Sequence, residues 1–200
     1  MPNPFRPPAP TVLSAQTPDK ANANLFGRLP MPINDRSDDL PALLVVDRVL
    51  GAGPDSRITD RVREKEGLSY GIQTWVVPSS FEENSTFNLY AIFAPENRER
   101  VHKAVAEELA RALKDGFTEA EIGHAKTALL QSRRISRAQD ASLAGGLVQQ
   151  AYLGRTWDFA EKIDAGIAAV TVERANAVLR RYVKGDGFAW SYAGDFAKAK

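Results

Sequence analysis

One strand with a single apolar side constrains the fold of this chain more than any other segment. Over residues 86–94, apolar side chains occupy alternate positions, at Phe87, Leu89, Ala91 and Phe93. Successive side chains of a strand point to opposite faces, so this alternation predicts a sheet that packs a core on one face only. Such a sheet needs a covering layer of other elements.

Neighbouring segments supply partner strands for this sheet. Leu68 to Val77 is predicted as a strand, and the short segment from Pro78 to Ser85 joins it to the alternating strand, which favours an antiparallel hairpin. Residues 22–29 predict an earlier strand that Pro30 ends, and residues 188–192 predict a final strand.

Helical patterns fill most of the remaining chain. The predicted helices cover residues 41–50, a segment capped by Asp55 or Ser56 and ended by Gly67, residues 97–115, residues 118–152 with a break near Gly145 and Gly146, residues 159–167 and residues 172–183. The clearest boundary joins Gly116, a helix stop, to the capping box Thr118-x-x-Glu121 that begins the next helix.

The order of these elements predicts an α+β fold, a two-layer sandwich in which a mainly antiparallel sheet carries helices on one face. Nine of the twelve prolines lie in the first 41 residues, and five fall in the first ten. Proline lacks an N–H donor and has a fixed φ, so it opposes ladders and helices. We therefore predict a proline-rich linker over residues 1–18 and one domain over residues 19–200.

Charge and composition limit the classes of partner. Lys and Arg number 26 against 25 Asp and Glu, so the net charge does not attract nucleic acid. No apolar run approaches the roughly 20 residues that span a bilayer, so no membrane span is predicted. The chain has no cysteine, which suits a reducing or an oxidising compartment. A periplasmic or other extracytoplasmic location is compatible with a bacterial parent chain, and homo-oligomerisation is left open.

Metal chemistry within the chain is limited by its histidines. Only His102 and His124 occur, and neither lies in an H-E-x-x-H or H-x-x-E-H motif. Glu121 and His124 are three apart and share a helix face, but zinc normally takes three or four protein ligands. We therefore expect no metal site in this chain, with an independent metalloenzyme built on Glu121 and His124 as the weaker alternative.

Arg63 and Tyr70 are the candidate functional residues. The predicted helix end carries Arg63, and the following strand carries Tyr70 just after the Gly67 turn, so both can point into one cleft. A guanidinium and a phenol together can bind a peptide carbonyl and stabilise an oxyanion. On spacing alone, a structural role for the pair stays open beside the functional one.

The segment from Arg63 to Tyr70, Arg-Glu-Lys-Glu-Gly-Leu-Ser-Tyr, resembles the arginine–tyrosine motif in C-terminal domains of the insulinase, pitrilysin and mitochondrial processing peptidase family. Residues 40–53 resemble the preceding family helix with its Gly-x-Gly break. Residues 117–121 and 193–196 also match the family order. The resemblance covers roughly residues 20–197.

The resemblance implies a processing-peptidase-like fold whose two related halves enclose an extended peptide. Zinc and a general base are then expected in a metal-bearing N-terminal domain or companion chain, since this chain lacks the H-x-x-E-H motif. Arg63 and Tyr70 match the pair that holds substrate and stabilises the tetrahedral intermediate. The resemblance also implies that a peptide strand adds to a sheet edge.

Two functions follow from this resemblance. The first is a C-terminal domain or subunit of a zinc endopeptidase, inactive as an isolated chain, that supplies Arg63 and Tyr70 to catalysis and substrate binding. The second is a noncatalytic peptide-binding or assembly domain of the same fold. The presence of both Arg63 and Tyr70 favours the first.

Overall fold

The computed structural model describes residues 5–7 and 9–197. Within them, five strands form one sheet in the order β1-β5-β2-β4-β3. The strands are β1 (Val12–Gln16), β2 (Ala23–Met31), β3 (Ser69–Val77), β4 (Ser85–Phe93) and β5 (Ala189–Gly194). Every pairing is antiparallel except that of β1 with β5, so the sheet is mainly antiparallel, as the sequence predicts.

Helices form the second layer. They are α1 (Leu40–Leu50), α2 (Arg57–Thr59), α3 (Arg98–Asp115), α4 (Glu119–Arg137), α5 (Asp140–Tyr152), α6 (Asp158–Ala168) and α7 (Val172–Tyr182). A π-helix, Asp60–Lys65, continues α2, and short 3₁₀ turns over Pro95–Asn97 and Gly185–Gly187 precede α3 and β5. The predicted α+β fold class is confirmed. Within the described residues, no helix is both long and apolar enough to cross a membrane.

The core lies between the sheet and the helices. The four alternating residues of β4 are fully buried, namely Phe87, Leu89, Ala91 and Phe93. From the helix side, Val101, Val105 and Leu109 of α3 are buried against the same cluster. The alternation in β4 therefore predicted correctly which face of the sheet is covered.

Pro30 does not end β2, contrary to the sequence prediction. The strand continues to Met31, and Pro30 pairs with Thr86 of β4. On its other side, β2 pairs with β5 only from Asn24 to Arg28. Beyond Arg28 no β5 residue pairs with β2, so the missing N–H of Pro30 removes no ladder bond on that side.

The segment predicted as a linker contains a strand, which corrects that prediction for residues 12–16. β1 pairs in parallel with β5, and the Trp190 amide donates to the carbonyl of Thr11 at 2.8 Å. The side chain of Gln16 then donates to Asp195 at 2.6 Å. Proline density in the sequence did not reveal that β5 leaves an edge for these residues. Residues 1–4 and 8 of the predicted linker lie outside the described residues.

The boundary between α3 and α4 is confirmed. Gly116 has φ +76°, and the hydroxyl of Thr118 accepts from the Glu121 amide in a capping box. The predicted break at Gly145 and Gly146 is wrong, because α5 runs through both. At Gly146 a Cβ would lie 3.3 Å from the ring of Trp157, so the small residue serves close packing and not a helix stop.

Two arginines of α4 hold α6 in place. Arg133 and Arg137 both form ion pairs with Asp164 of α6. The sequence alone predicts no partner for these side chains, because Arg133 and Asp164 are 31 positions apart and such a contact leaves no local pattern.

Asp47 is a carboxyl group buried between α1 and β3. Its Oδ1 accepts from the hydroxyl of Thr74 at 2.6 Å, and the Val76 amide also donates to the carboxyl group. Burial raises the pKa of Asp47 to about 7, outweighing these two hydrogen bonds, which favour ionisation. In the unfolded chain the group titrates near 3.8.

We predict that Asp47→Asn stabilises the fold relative to wild type as the pH rises. Because the pKa is raised, the folded protein keeps a proton on Asp47 that the unfolded chain releases. The contribution of Asp47 to the free energy of unfolding is therefore fully present below about pH 4 and is lost as the pH rises from there to about 7. In urea unfolding followed by tryptophan fluorescence, the variant should gain about 1.4 kcal/mol per pH unit at most across that window. The exposed Asp38→Asn is the control, and a difference independent of pH would contradict the prediction.

Candidate functional site

Arg63 lies in the π-helix that ends the α2 segment. The Glu66 amide donates to the carbonyl of Arg61 at 3.0 Å, five residues back, and the Leu68 amide reaches the carbonyl of Val62 at 2.9 Å. Single π turns carry an extra residue and are frequent at functional sites. Val62 is fully buried and anchors this turn to the core.

Tyr70 lies in a β-bulge at the start of β3. Ser69 pairs with Phe93 and Gly71 with Ile92, so Tyr70 is the extra residue on β3. Without the bulge, regular alternation would point Tyr70 towards the core, on the side of the buried Ile72. Tyr70 is instead 67% exposed. The bulge therefore converts a core position into an exposed one.

The hydroxyl of Ser69 braces the bulge. It lies 2.8 Å from the carbonyl of Gly71 and 2.8 Å from the carbonyl of Ile92, and the Gly71 amide donates to it at 3.2 Å. Asn97 adds a hydrogen bond from its amide to the carbonyl of Leu68 at 3.3 Å. Polar side chains thus satisfy the backbone groups that an irregular ladder leaves unpaired.

The two arginines of this turn have different surroundings. Arg61 donates to Glu66 at 2.8 Å and to Glu107 at 2.5 Å, and these hydrogen bonds raise its pKa above the ordinary value. The side chain of Arg63 is 53% exposed, and its Nε lies 3.5 Å from Oε1 of the adjacent Glu64. Arg61 is therefore held by carboxylates, whereas Arg63 presents its guanidinium to solvent.

Arg63 and Tyr70 flank one turn without touching through a hydrogen bond in the described structure. Gly67 makes the turn, with φ +59°, and no atom lies within 4 Å of where its Cβ would be. Both side chains are exposed, and they lie at neighbouring ends of a helix and a strand, which are the positions that the sequence predicts.

Glu121 serves the fold. Its carboxylate accepts from Arg57 Nε at 2.6 Å and from both the amide and the hydroxyl of Thr118 at 2.8 Å. Partial burial disfavours its ionised form, but these hydrogen bonds prevail and lower its pKa to about 2. His124 instead lies 3.1 Å from Asp55. In the part of the chain that is described, no three His, Asp or Glu side chains form a metal-binding group.

The outer edge of β3 is already filled over Ile72 to Val76. The Thr74 amide donates to the carbonyl of Gly51 at 3.1 Å, and the hydroxyl of Thr59 donates to the carbonyl of Ile72 at 3.3 Å. Asp47 accepts from the Val76 amide. A peptide strand therefore cannot add to this stretch without displacing these bonds, which limits the edge addition that the family resemblance implies.

A polar and aromatic patch on the uncovered face of the sheet was not identified from the sequence. Phe26 and Trp75 meet edge to face at 5.9 Å, and Arg28 Cζ lies 5.7 Å from the Phe26 ring. Arg28 also donates to Asn88 at 3.1 Å. These residues come from three strands, so only the sheet register brings them together.

These features define a two-layer α+β domain in which the exposed Arg63 and Tyr70 lie on either side of the Gly67 turn, with no metal-binding group among the residues described. The family model described as Peptidase M16 inactive domain matches residues 2–129. The chain belongs to the M16 family of zinc peptidases, as an inactive domain. The resemblance found in the sequence is thereby confirmed.

Individual relatives agree with this placement. An uncharacterized zinc protease of Mycobacterium tuberculosis is 32% identical over 139 residues, which is 70% of this chain and 31% of the relative. A non-peptidase homolog of Helicobacter pylori is 23% identical over 83% of this chain and 38% of its own length. The M16 inactive domain from Pseudomonas fluorescens superposes with a TM-score of 0.84 at 23% identity, covering 96% of this chain and 45% of that one. The matched stretches thus cover about a third of the length of each of these two curated relatives.

We predict that Gly67→Ala destabilises the fold by about 1 kcal/mol, because the Cβ of alanine is strained in the left-handed backbone conformation that this turn requires. Gly123→Ala is the matched control within α4, where the new methyl group also meets open space and helix propensity favours alanine by about 1 kcal/mol. Urea unfolding of both variants should therefore shift in opposite directions. A neutral Gly67→Ala would show that the turn tolerates another conformation.

Proposed function

We propose that this chain is the C-terminal domain or subunit of a zinc endopeptidase, and that it supplies Arg63 and Tyr70 to an active site completed by a metal-bearing half. The observation that carries the proposal is the bulge at Tyr70, since a regular sheet register would bury this side chain and the irregular one exposes it. Irregular backbone held in place by polar side chains is a common feature of functional sites.

The division of labour follows from the groups present. When bound in the partner half, zinc supplies a Lewis acid and an activated water. Arg63 contributes a permanent positive charge that binds a peptide carbonyl or carboxylate. The phenol of Tyr70 donates a hydrogen bond to the oxygen that gains charge as water attacks the scissile carbonyl. Both groups lie on the turn around Gly67, so they can approach one carbonyl from the same side.

An extended peptide would reach this corner without pairing with β3 over residues 72–76. The opposite outer strand among the described residues is β1, which lies four strand spacings away, about 19 Å. Strand addition at β1 would thus be separate from contact with Tyr70. Side-chain contacts, and not a β3 ladder, are proposed to hold the scissile bond at the Arg63–Tyr70 pair.

We predict that Arg63→Ala and Tyr70→Phe each lower kcat of the complex with the metal-bearing half by about 100-fold, because each removes a donor that acts on the transition state. Peptide cleavage should be measured with an internally quenched peptide. Lys65→Ala, at a side chain 70% exposed on the same turn, is the control and should leave kcat unchanged. Normal turnover of both Arg63→Ala and Tyr70→Phe would contradict the assigned roles.

The isolated chain should neither cleave peptide nor hold zinc. We expect less than roughly one zinc ion per ten chains by elemental analysis after dialysis, because two possible ligands bind zinc weakly. Mixing with the H-x-x-E-H-bearing half should produce cleavage that a chelator removes. Stoichiometric, tightly held zinc in the isolated chain would instead support the metalloenzyme based on Glu121 and His124.

A second candidate is a noncatalytic peptide-binding or assembly domain. The similarity to a Helicobacter pylori protein named a non-peptidase homolog favours it. A complex that binds peptide and zinc but does not cleave peptide would establish this function in place of the first.

A further inference from the structure

Helix α5 has an unusual surface for an exposed helix. None of its thirteen residues is buried. Only Asp140 carries a charge, and Leu147, Val148 and Tyr152 are among the exposed large hydrophobic residues of the described chain. A solvent-facing helix normally turns charged and polar residues outward. α5 therefore has the surface composition of a helix that is covered in an assembly.

The apolar residues of α5 concentrate on the side away from the domain. Half-buried residues at 143, 146, 150 and 153 mark the inner side. At about 100° per residue, the opposite side carries six residues, which we name the α5 outer face: Ala141, Ala144, Gly145, Val148, Ala151 and Tyr152. Val148 is 69% exposed and Tyr152 is 76% exposed.

The spacing of the α5 outer face matches a helix–helix contact. Its members recur at intervals of three and four residues over three turns, which is the pattern that packs against another helix. The alanines and the glycine of the α5 outer face let a second helix approach closely, and Val148 and Tyr152 supply larger contact area. Polar residues Ser142 and Gln149 lie at one flank.

Contacts on the inner side hold α5 in a fixed position. Gly146 packs on Trp157, and Arg137 of α4 lies over the same ring with its Cζ 5.5 Å from the centroid. Beyond the end of α5, Arg155 forms two hydrogen bonds to the buried Asp35, at 2.8 and 2.9 Å. A surface held in this way loses little conformational entropy on binding.

We propose that the α5 outer face packs against a helix of the metal-bearing half of the peptidase. This inference rests on the proposed function. The curated relatives and the Pseudomonas fluorescens structure are each about twice the length of this chain, so comparable domains are joined there to more protein. A permanently joined half is the partner for which an uncharged, apolar interface is typical, because obligate interfaces resemble a divided core.

Other occupants fit α5 less well. A helix that lies on an anionic membrane carries Lys or Arg beside its apolar face, and α5 has neither. A peptide recruited by electrostatic steering would need charge, and Asp140 is the one charged residue of the helix. A second copy of this chain has the same apolar pattern to offer, so the experiment below distinguishes it.

The experiment compares Val148→Asp with Gln149→Asp, two carboxylates introduced at adjacent exposed positions of α5. Each variant of this chain is titrated with the separately produced H-x-x-E-H-bearing half, and the dissociation constant is measured by calorimetry. We expect Val148→Asp to weaken binding at least tenfold, because it buries a charge in the contact, and Gln149→Asp to change it less than about threefold. Equal effects of the two variants would overturn the proposal.

Two further measurements separate the other occupants. Sedimentation velocity of the chain alone tests for a dimer, and a dimer that Val148→Asp dissociates would assign the α5 outer face to a second copy and overturn the proposal. Co-sedimentation with phosphatidylglycerol–phosphatidylethanolamine vesicles tests for membrane binding. Binding to the vesicles that Val148→Asp abolishes would assign the α5 outer face to a membrane and overturn the proposal. Should Val148→Asp lower the thermal midpoint of the chain, Tyr152→Ala replaces it, since that variant keeps helix propensity and removes contact area.

The outcome is independent of the catalytic roles proposed above. If Val148→Asp weakens association while Arg63→Ala and Tyr70→Phe cleave normally, the docking surface stands and the catalytic proposal fails. If Arg63→Ala and Tyr70→Phe lose kcat while Val148→Asp binds as wild type does, the catalytic proposal stands and the docking surface is overturned.

Discussion

The close contact between the end of α1 and strand β3 determines the geometry of the rest of the site. A Cβ on Gly51 would lie 2.5 Å from Thr74, so the backbone of α1 can reach β3 only through a residue without a side chain. At this contact the Gly51 carbonyl accepts from the Thr74 amide, and the carboxyl of Asp47 accepts from the Thr74 hydroxyl. One threonine thus joins the helix to the sheet edge by backbone and side chain together.

This contact makes the irregular segments on either side tolerable. Because Thr59 of α2 holds Ile72, and Gly51 and Asp47 at the end of α1 hold Thr74, the bulge at Tyr70 can alter only the start of the strand. Because Val62 and Ile58 are buried beneath the following turn, the π-helix shifts Arg63 without releasing the helix from the core. Filling the β3 edge also removes a row of unpaired backbone groups that would otherwise attract other strands.

Local periodicity predicted the sheet and most helices, while features that depend on register were not accessible. The alternation in β4 and the Thr118 capping box each lie within a few residues, so the sequence carries them directly. The bulge requires knowing that Ser69 pairs with Phe93, and the tolerance of Pro30 requires knowing how far β5 extends. For the same reason local pattern predicts that Arg63 lies near a helix end and Tyr70 at the start of a strand, but it does not predict the bulge that exposes Tyr70.

The described surface of this domain carries two separate features of opposite character. Polar residues at the Gly67 turn expose a cation and a phenol beside an edge whose hydrogen bonds are already used, so the site there offers side chains and little backbone. Helix α5 exposes apolar side chains with almost no charge, so it offers contact area and no chemistry. Under the proposed function, a partner could bind permanently through the apolar surface of α5. The polar surface at the Gly67 turn would then stay accessible to a substrate that binds and dissociates. Burying the guanidinium of Arg63 in a permanent contact would carry a desolvation cost that the apolar side chains of α5 do not incur.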